Sequence, residues 1–169
     1  MSNLLSNYSI ITVTPTLSTD AYAQGDVLFV ATEIPNAVLG NGGCAELVAA
    51  FVLNQASGNT DDFDVYFHSG TTALGTINAT ANIADADIEA LGINGVLQHD
   101  ANVGAVAQLD TANLVQLGNL AKDKGTGNPI LIQAAPGSTS VYFQAILTSS
   151  TTPTYAADDL DFIFHIKQK

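Results

Sequence analysis

Three histidines, one cysteine and two short runs of acids are the residues here whose types could support catalysis or metal binding. His68, His99 and His165 stand far apart, with no HxH or HxxxH spacing to bring two imidazoles onto one face. Ordinary hydrogen-bonded imidazoles account for them. Cys44 has no second thiol to pair with and lies in Gly42-Gly43-Cys44-Ala45, away from any cation, so it reads as a small buried apolar residue. Carboxylates give the stronger signal: Asp61, Asp62 and Asp64 in one stretch, and Asp85, Asp87 and Glu89 in another. Oxygen ligands at such intervals suit a hard cation such as Ca²⁺, but neither run carries the glycine and bidentate glutamate of an EF-hand. Solvated loop acids and partners of a helix N-terminus explain both runs without a metal. No serine lies in a GxSxG elbow, no P-loop GK[ST] is present, and Gly125-Thr126-Gly127 lacks the third glycine of a dinucleotide loop. Paired-carboxylate glycosidases usually stack sugars on aromatic residues, and the chain has no Trp. The residues therefore predict no enzyme: no catalytic centre, no metal and no cofactor.

The charge balance narrows the partners. Sixteen Asp and Glu face four Lys and no Arg, a formal net charge of -12, and every Lys lies at or beyond position 122. Nucleic-acid binding neutralises phosphates with Lys and Arg, so this surface would repel a phosphate backbone. Anionic membranes are disfavoured for the same reason. The start, Met1 to Asn7, has neither the basic region nor the long apolar region of a signal peptide, which predicts a protein made and matured in the cytoplasm. The sequons at Asn7 and Asn78 then carry little weight.

Most segments are short, rich in β-branched and aromatic residues, and punctuated by Gly, Asn, Asp, Ser or Pro, as in an antiparallel β protein. Strands are expected at 8–14, 26–32, 34–39, 45–55, 63–68, 95–108, 111–117, 130–134, 141–148 and 160–167. Segment 45–55 is apolar at nearly every position, which predicts a central strand covered on both faces, with a helix as its competitor. The turn-rich 56–62 and the clean alternation that follows make 45–55 and 63–68 look like a hairpin with a long loop. In the last strand Phe162, Phe164 and Ile166 share the core face. One helix is expected at 85–91, with acids at its start and Gly92 as its left-handed stop, acting as a connector. Residues 122–129 read as an exposed loop. At 169 residues the chain is long enough for one domain, 1–169, to bury roughly 70% of its unfolded surface without a disulfide. The predicted fold is all-β: an antiparallel β-sandwich, jelly-roll-like, with residues 1–7 as an uncharged arm free to dock on a partner.

An internal echo accompanies this pattern. Residues 19–29 (TDAYAQGDVLF) and 152–162 (TPTYAADDLDF) repeat Thr, Tyr-Ala, Asp, an aliphatic residue and Phe at the same spacings. In each, a turn leads into a strand, with Tyr22 or Tyr155 folding over the sandwich edge and an Asp tying down loop N–H groups.

Those blocks, together with 61–67 (DDFDVYF) and 84–92 (ADADIEALG), resemble small virion structural proteins of tailed bacteriophages, of the capsid decoration or cement type. The resemblance implies a β-sandwich on the outer capsid surface, commonly a homotrimer, that clamps subunits of the major capsid protein. No catalytic residue comes with it. The expected contact residues are Leu4, Leu5 and Tyr8 of the arm and first strand, and the loop tyrosines Tyr22 and Tyr155. The expected location is the capsid surface of a virion assembled in the host cytoplasm. A ligand- or carbohydrate-binding β-module of a phage tail or fibre is the alternative.

Overall fold

The computed structural model describes residues 7–56, 61–100, 106–119 and 129–169. Eleven strands and one helix follow in chain order: β1 (Tyr8–Val13), β2 (Val27–Ile34), β3 (Cys44–Asn54), β4 (Phe63–His68), α1 (Asp85–Leu91), β5 (Ile93–His99), β6 (Val106–Leu109), β7 (Ala112–Gln116), β8 (Gly118–Asn119), β9 (Ile130–Gln133), β10 (Val141–Leu147) and β11 (Leu160–Gln168). They form two antiparallel sheets, one ordered β1-β11-β3-β7-β6 with β9 also on β3, the other β2-β10-β4-β5-β8. The pairing is nested: β1 with β11, β2 with β10, β3 with β9, β4 with β5. A chain paired in this way behaves as one long hairpin rolled into a sandwich, which is the jelly roll expected from the sequence.

Period-two alternation decides what lies between the sheets. Phe162, Phe164 and Ile166 of β11 are fully buried, while Asp161, Ile163, His165 and Lys167 face outward and are half-buried. From the opposite sheet Phe63, Val65 and Phe67 of β4 and Phe143, Ala145 and Leu147 of β10 meet them. The aromatic rings interlock, with Phe143 centred 5.2 Å from Phe29, 5.0 Å from Phe162 and 4.9 Å from Phe164.

Several expectations are corrected. β3 and β4 are not a hairpin: β3 pairs with β11, β7 and β9, and β4 with β10 and β5, so the chain crosses between sheets after Asn54. β3 is a strand, as expected, but it is not covered on both faces. Its buried residues are Ala45 and Leu47, then Ala50, Val52 and Asn54, because a bulge at Val48 against His165/Ile166 shifts the alternation by one. The segment reads as uniformly apolar because its outward residues Val48, Ala49, Phe51 and Leu53 are apolar too. Cys44 is half-buried at the start of β3 rather than enclosed. Segment 34–39 is not a separate extended piece. β2 runs through to Ile34, and the chain then turns at Pro35 and Asn36, where Asn36 takes φ 52°. The expected strand 95–108 divides into β5 and β6, which belong to different sheets. Leu4 and Leu5, and most of the predicted loop 122–129, lie outside the described residues.

α1 matches its expected span, with Asp85 and Asp87 in the first turn and Gly92 at φ 63° as its left-handed stop. It is more than a connector. Leu91 is fully buried with Val27 and Leu74, against which Tyr66, Ala81, Ile83 and Ile146 pack. Ile88, three residues before Leu91, is exposed. The preceding segment, 69–84, is tied down by backbone bonds from Val27 to Ala79 (2.9 Å) and from Ala81 to Gly25 (3.0 Å). The buried Gln144 of β10 adds more, accepting the Leu74 N–H (2.9 Å) and donating to the Thr72 carbonyl (3.1 Å). The chain itself therefore covers part of the outer face of the five-stranded sheet, over Val27, Tyr66 and Ile146. Among the described residues no helix is long and apolar enough to cross a membrane.

Candidate docking face

The predicted site residues separate into three environments. The echoed turns form the first. Asp26 Oδ2 accepts the Ala23 N–H (2.7 Å) and Asp159 Oδ2 accepts the Ala156 N–H (2.6 Å), while backbone bonds of 3.0 and 3.3 Å close the same four-residue turns. Tyr22 and Tyr155 meet edge to face at 6.0 Å, and Phe29 and Phe162 do so at 5.3 Å. The two halves of the echo thus pack on one another. Tyr22 donates to the Leu28 carbonyl (2.8 Å) and accepts the Ser18 N–H (2.6 Å). At 1% and 3% exposure, Tyr22 and Tyr155 are interior anchors, which corrects their expected place at an interface. Their hydroxyls titrate above the ordinary tyrosine value, chiefly because burial disfavours the phenolate. Replacing the buried Asp26 with Ala is expected to cost about 1–2 kcal/mol, since the Ala23 N–H and the Thr80 hydroxyl are left without their acceptor. Asp159→Ala, at an exposed turn, should cost less. Chemical denaturation measures both, and an Asp26→Ala protein as stable as the parent would show that the turn holds without its carboxylate.

The second environment disperses the aspartates of segment 61–64. Asp61 is buried and takes hydrogen bonds from Thr151 Oγ1 and from the Tyr155 hydroxyl (3.4 Å). Its carbonyl receives His99 Nδ1 at 2.9 Å. The Asp62 carbonyl accepts the Thr148 and Ser149 N–H groups. Asp64 lies on the outer side of β4, where burial raises its pKa. Asp61 and the Asp62 backbone hold loops and strands together. His99 stacks flat on Phe63 at 4.1 Å, and burial pushes its pKa down to about 4. His68 bonds the Gly70 carbonyl (2.8 Å) and Gln144 (2.9 Å), and burial lowers its pKa too. His165 is on the outer face of the other sheet, so no two histidines converge. Among the described residues no three His, Cys, Asp or Glu side chains are grouped to hold a metal ion.

The third environment is the outer face of the six-stranded sheet, and sequence reasoning missed it. Register fixes its members, because residues directly opposite one another share a face. Across the strands, Tyr8 stands beside Lys167, Glu46 and Leu131, then Ile10 beside His165 and Ala49. Thr12, Ile163, Phe51 and Gln116 form the next row, and Asp161, Leu53 and Leu114 the last. The centre of this face is apolar but half-buried, with Ile163, Phe51 and Leu53, and its flanks are open: Ile10 is 68% exposed and Tyr8 61% on β1, and Val48, Leu109 and Leu131 are exposed too. Phe51 leans on the His165 ring at 5.3 Å. The rim is polar, with Lys169 on Glu46 at 2.6 Å, Lys167 5.8 Å from the centre of the Tyr8 ring, and Gln55 donating to Asp161 at 3.1 Å. A contiguous apolar patch with a charged rim is the usual anatomy of a contact surface. Its signal in the sequence was the excess of apolar residues at outward positions of β1 and β3, which the bulge at Val48 hides.

Neither a scan against protein-family models nor a search of curated proteins finds a match to this chain.

Proposed function

We propose that the protein is a non-enzymatic structural module that docks the outer face of its six-stranded sheet on a larger assembly. The assembly is the exterior of a capsid shell built from the major capsid protein, which the module stabilises in company with copies of itself. One observation carries the reading: among the described residues, 69–84 and α1 pack on the outer face of one sheet over Val27, Tyr66 and Ile146, while Tyr8, Ile10, Val48, Leu109 and Leu131 stay exposed on the outer face of the other. Exposing that much apolar surface is unfavourable unless a partner removes it from water. The net charge of -12 suits an exterior position rather than one against packaged nucleic acid. Jelly rolls serve in viral shells and in sugar-binding domains alike, so the fold supports the reading without selecting it.

Co-sedimentation with shells assembled from the major capsid protein tests this. The parent protein is expected to bind and to raise the temperature at which shells open. Ile163→Asp, in the middle of the face, should weaken binding at least tenfold while leaving the fold intact by circular dichroism, as loss of a central contact does. Ile88→Asp, on the exposed side of α1, should bind as the parent does. Shells equally robust with and without the protein would overturn the reading. A second reading, a carbohydrate-binding module, draws on the rings of Tyr8, Phe51 and His165 on the same face, where sugars can stack. Glycan-array binding without shell binding would select it.

A further inference from the structure

We propose that a second copy of this chain pairs with the free edge of β1, strand β1 against strand β1 about a two-fold axis, with Ile10 opposite Ile10. The inference rests on the reading of the protein as a self-associating module and adds the strand, the register and the symmetry. Exposed sheet edges invite pairing, and proteins defend them by shortness, bulges, charge or proline. Here β6 and β9 have four residues each and β8 two. The longer edge strand β2 is bulged twice against β10 and carries Glu33. β1 has none of these defences: it is six residues of Tyr, Ser, Ile, Ile, Thr and Val in unbroken register with β11.

The direction of its free groups sets the register. The Asn7 carbonyl accepts the Gln168 N–H (2.7 Å), so the odd-numbered residues turn their backbone groups toward β11. Tyr8, Ile10 and Thr12 therefore present theirs to the open side, since antiparallel ladders alternate in this way. A two-fold axis perpendicular to the sheet brings like faces together. Centred on Ile10, it sets Tyr8 opposite Thr12 on the outer face and Ser9 opposite Ile11 on the inner. Every free N–H and C=O between Tyr8 and Thr12 then gains a partner, whereas centring on Tyr8 or Thr12 leaves part of the edge unpaired. Charge favours the same place. In a chain of net charge -12 no charged side chain occurs before Asp20, so this seam can close without bringing carboxylates together.

Light scattering on the full chain should give twice the mass of one chain. Ile10→Pro removes an N–H that β11 does not use, so it should halve that mass while circular dichroism stays unchanged. Register is read by cross-linking in a Cys44→Ser background. Opposed Cα atoms of a hydrogen-bonded pair stand about 5.5 Å apart, within disulfide reach. Ile10→Cys should therefore yield a covalent dimer on oxidation, and Thr12→Cys should not. A monomeric or trimeric parent, a dimer insensitive to Ile10→Pro, or equal cross-linking at both positions would overturn the seam. Ile163→Asp, which lies on β11 and off the seam, should lose shell binding and keep the doubled mass, and a monomeric parent that still binds shells would fail the seam alone, so the two readings fail separately.

Discussion

Replacing Phe143 with Ala is expected to remove about 3–5 kcal/mol of stability, the usual cost of deleting a fully enclosed aromatic ring. Phe143 sits in β10, between β2 and β4, and its ring centre lies 4.9–5.2 Å from those of Phe29, Phe162 and Phe164, with Phe67 at 6.4 Å. Truncation therefore leaves a hole walled by both sheets, and the surrounding rings can close it only by leaving their own partners. Domains of this size are stable by only about 5–15 kcal/mol, so the variant should be close to unfolding at physiological temperature. Urea unfolding followed by circular dichroism measures the loss. A cost below about 1 kcal/mol would mean that the aromatic cluster is not the keystone of the sandwich.

Acidification should destabilise the protein through His99. Its folded-state pKa is held at about 4, below the ordinary 6.5, first by burial. The folded state therefore refuses a proton that the unfolded chain accepts. The stabilising difference is fully present above pH 6.5 and is lost as pH falls from 6.5 toward 4, at about 1.4 kcal/mol per unit and about 3 kcal/mol in all. His68, also lowered by burial, acts in the same direction. Asp64 opposes it, because a raised carboxyl pKa favours the folded state as pH falls. Unfolding free energies measured between pH 7 and pH 4 should slope downward in the parent. In His99→Gln, which begins less stable, the slope should be markedly shallower. Parallel slopes would assign the acid sensitivity elsewhere.

The open sheet face and the β1 edge are neighbours, since Tyr8 and Ile10 belong to both. Two-fold pairing at β1 would place two open faces side by side in one continuous sheet. The shell-docking surface would then be doubled, and weak contacts would bind with the gain that linkage of two sites provides.

What the sequence by itself determined was local. Alternation of Phe162, Phe164 and Ile166 named the core face of β11, because successive side chains of a strand must point to opposite sides. The acids before α1 and Gly92 after it marked that helix, and the repeated Tyr-Ala and Asp marked two equivalent turns. Tertiary structure alone decided which strands are neighbours. β3 looked paired with β4, yet its partners β11, β9 and β7 lie far along the chain, and nested pairing leaves no trace in the residues nearby. It also decided that Tyr22 and Tyr155 face each other inside the domain, and that Tyr8, Ile10 and Val48 stay exposed on an outer face. Whether an apolar face is covered depends on what another segment of chain lays across it, and no local pattern records that.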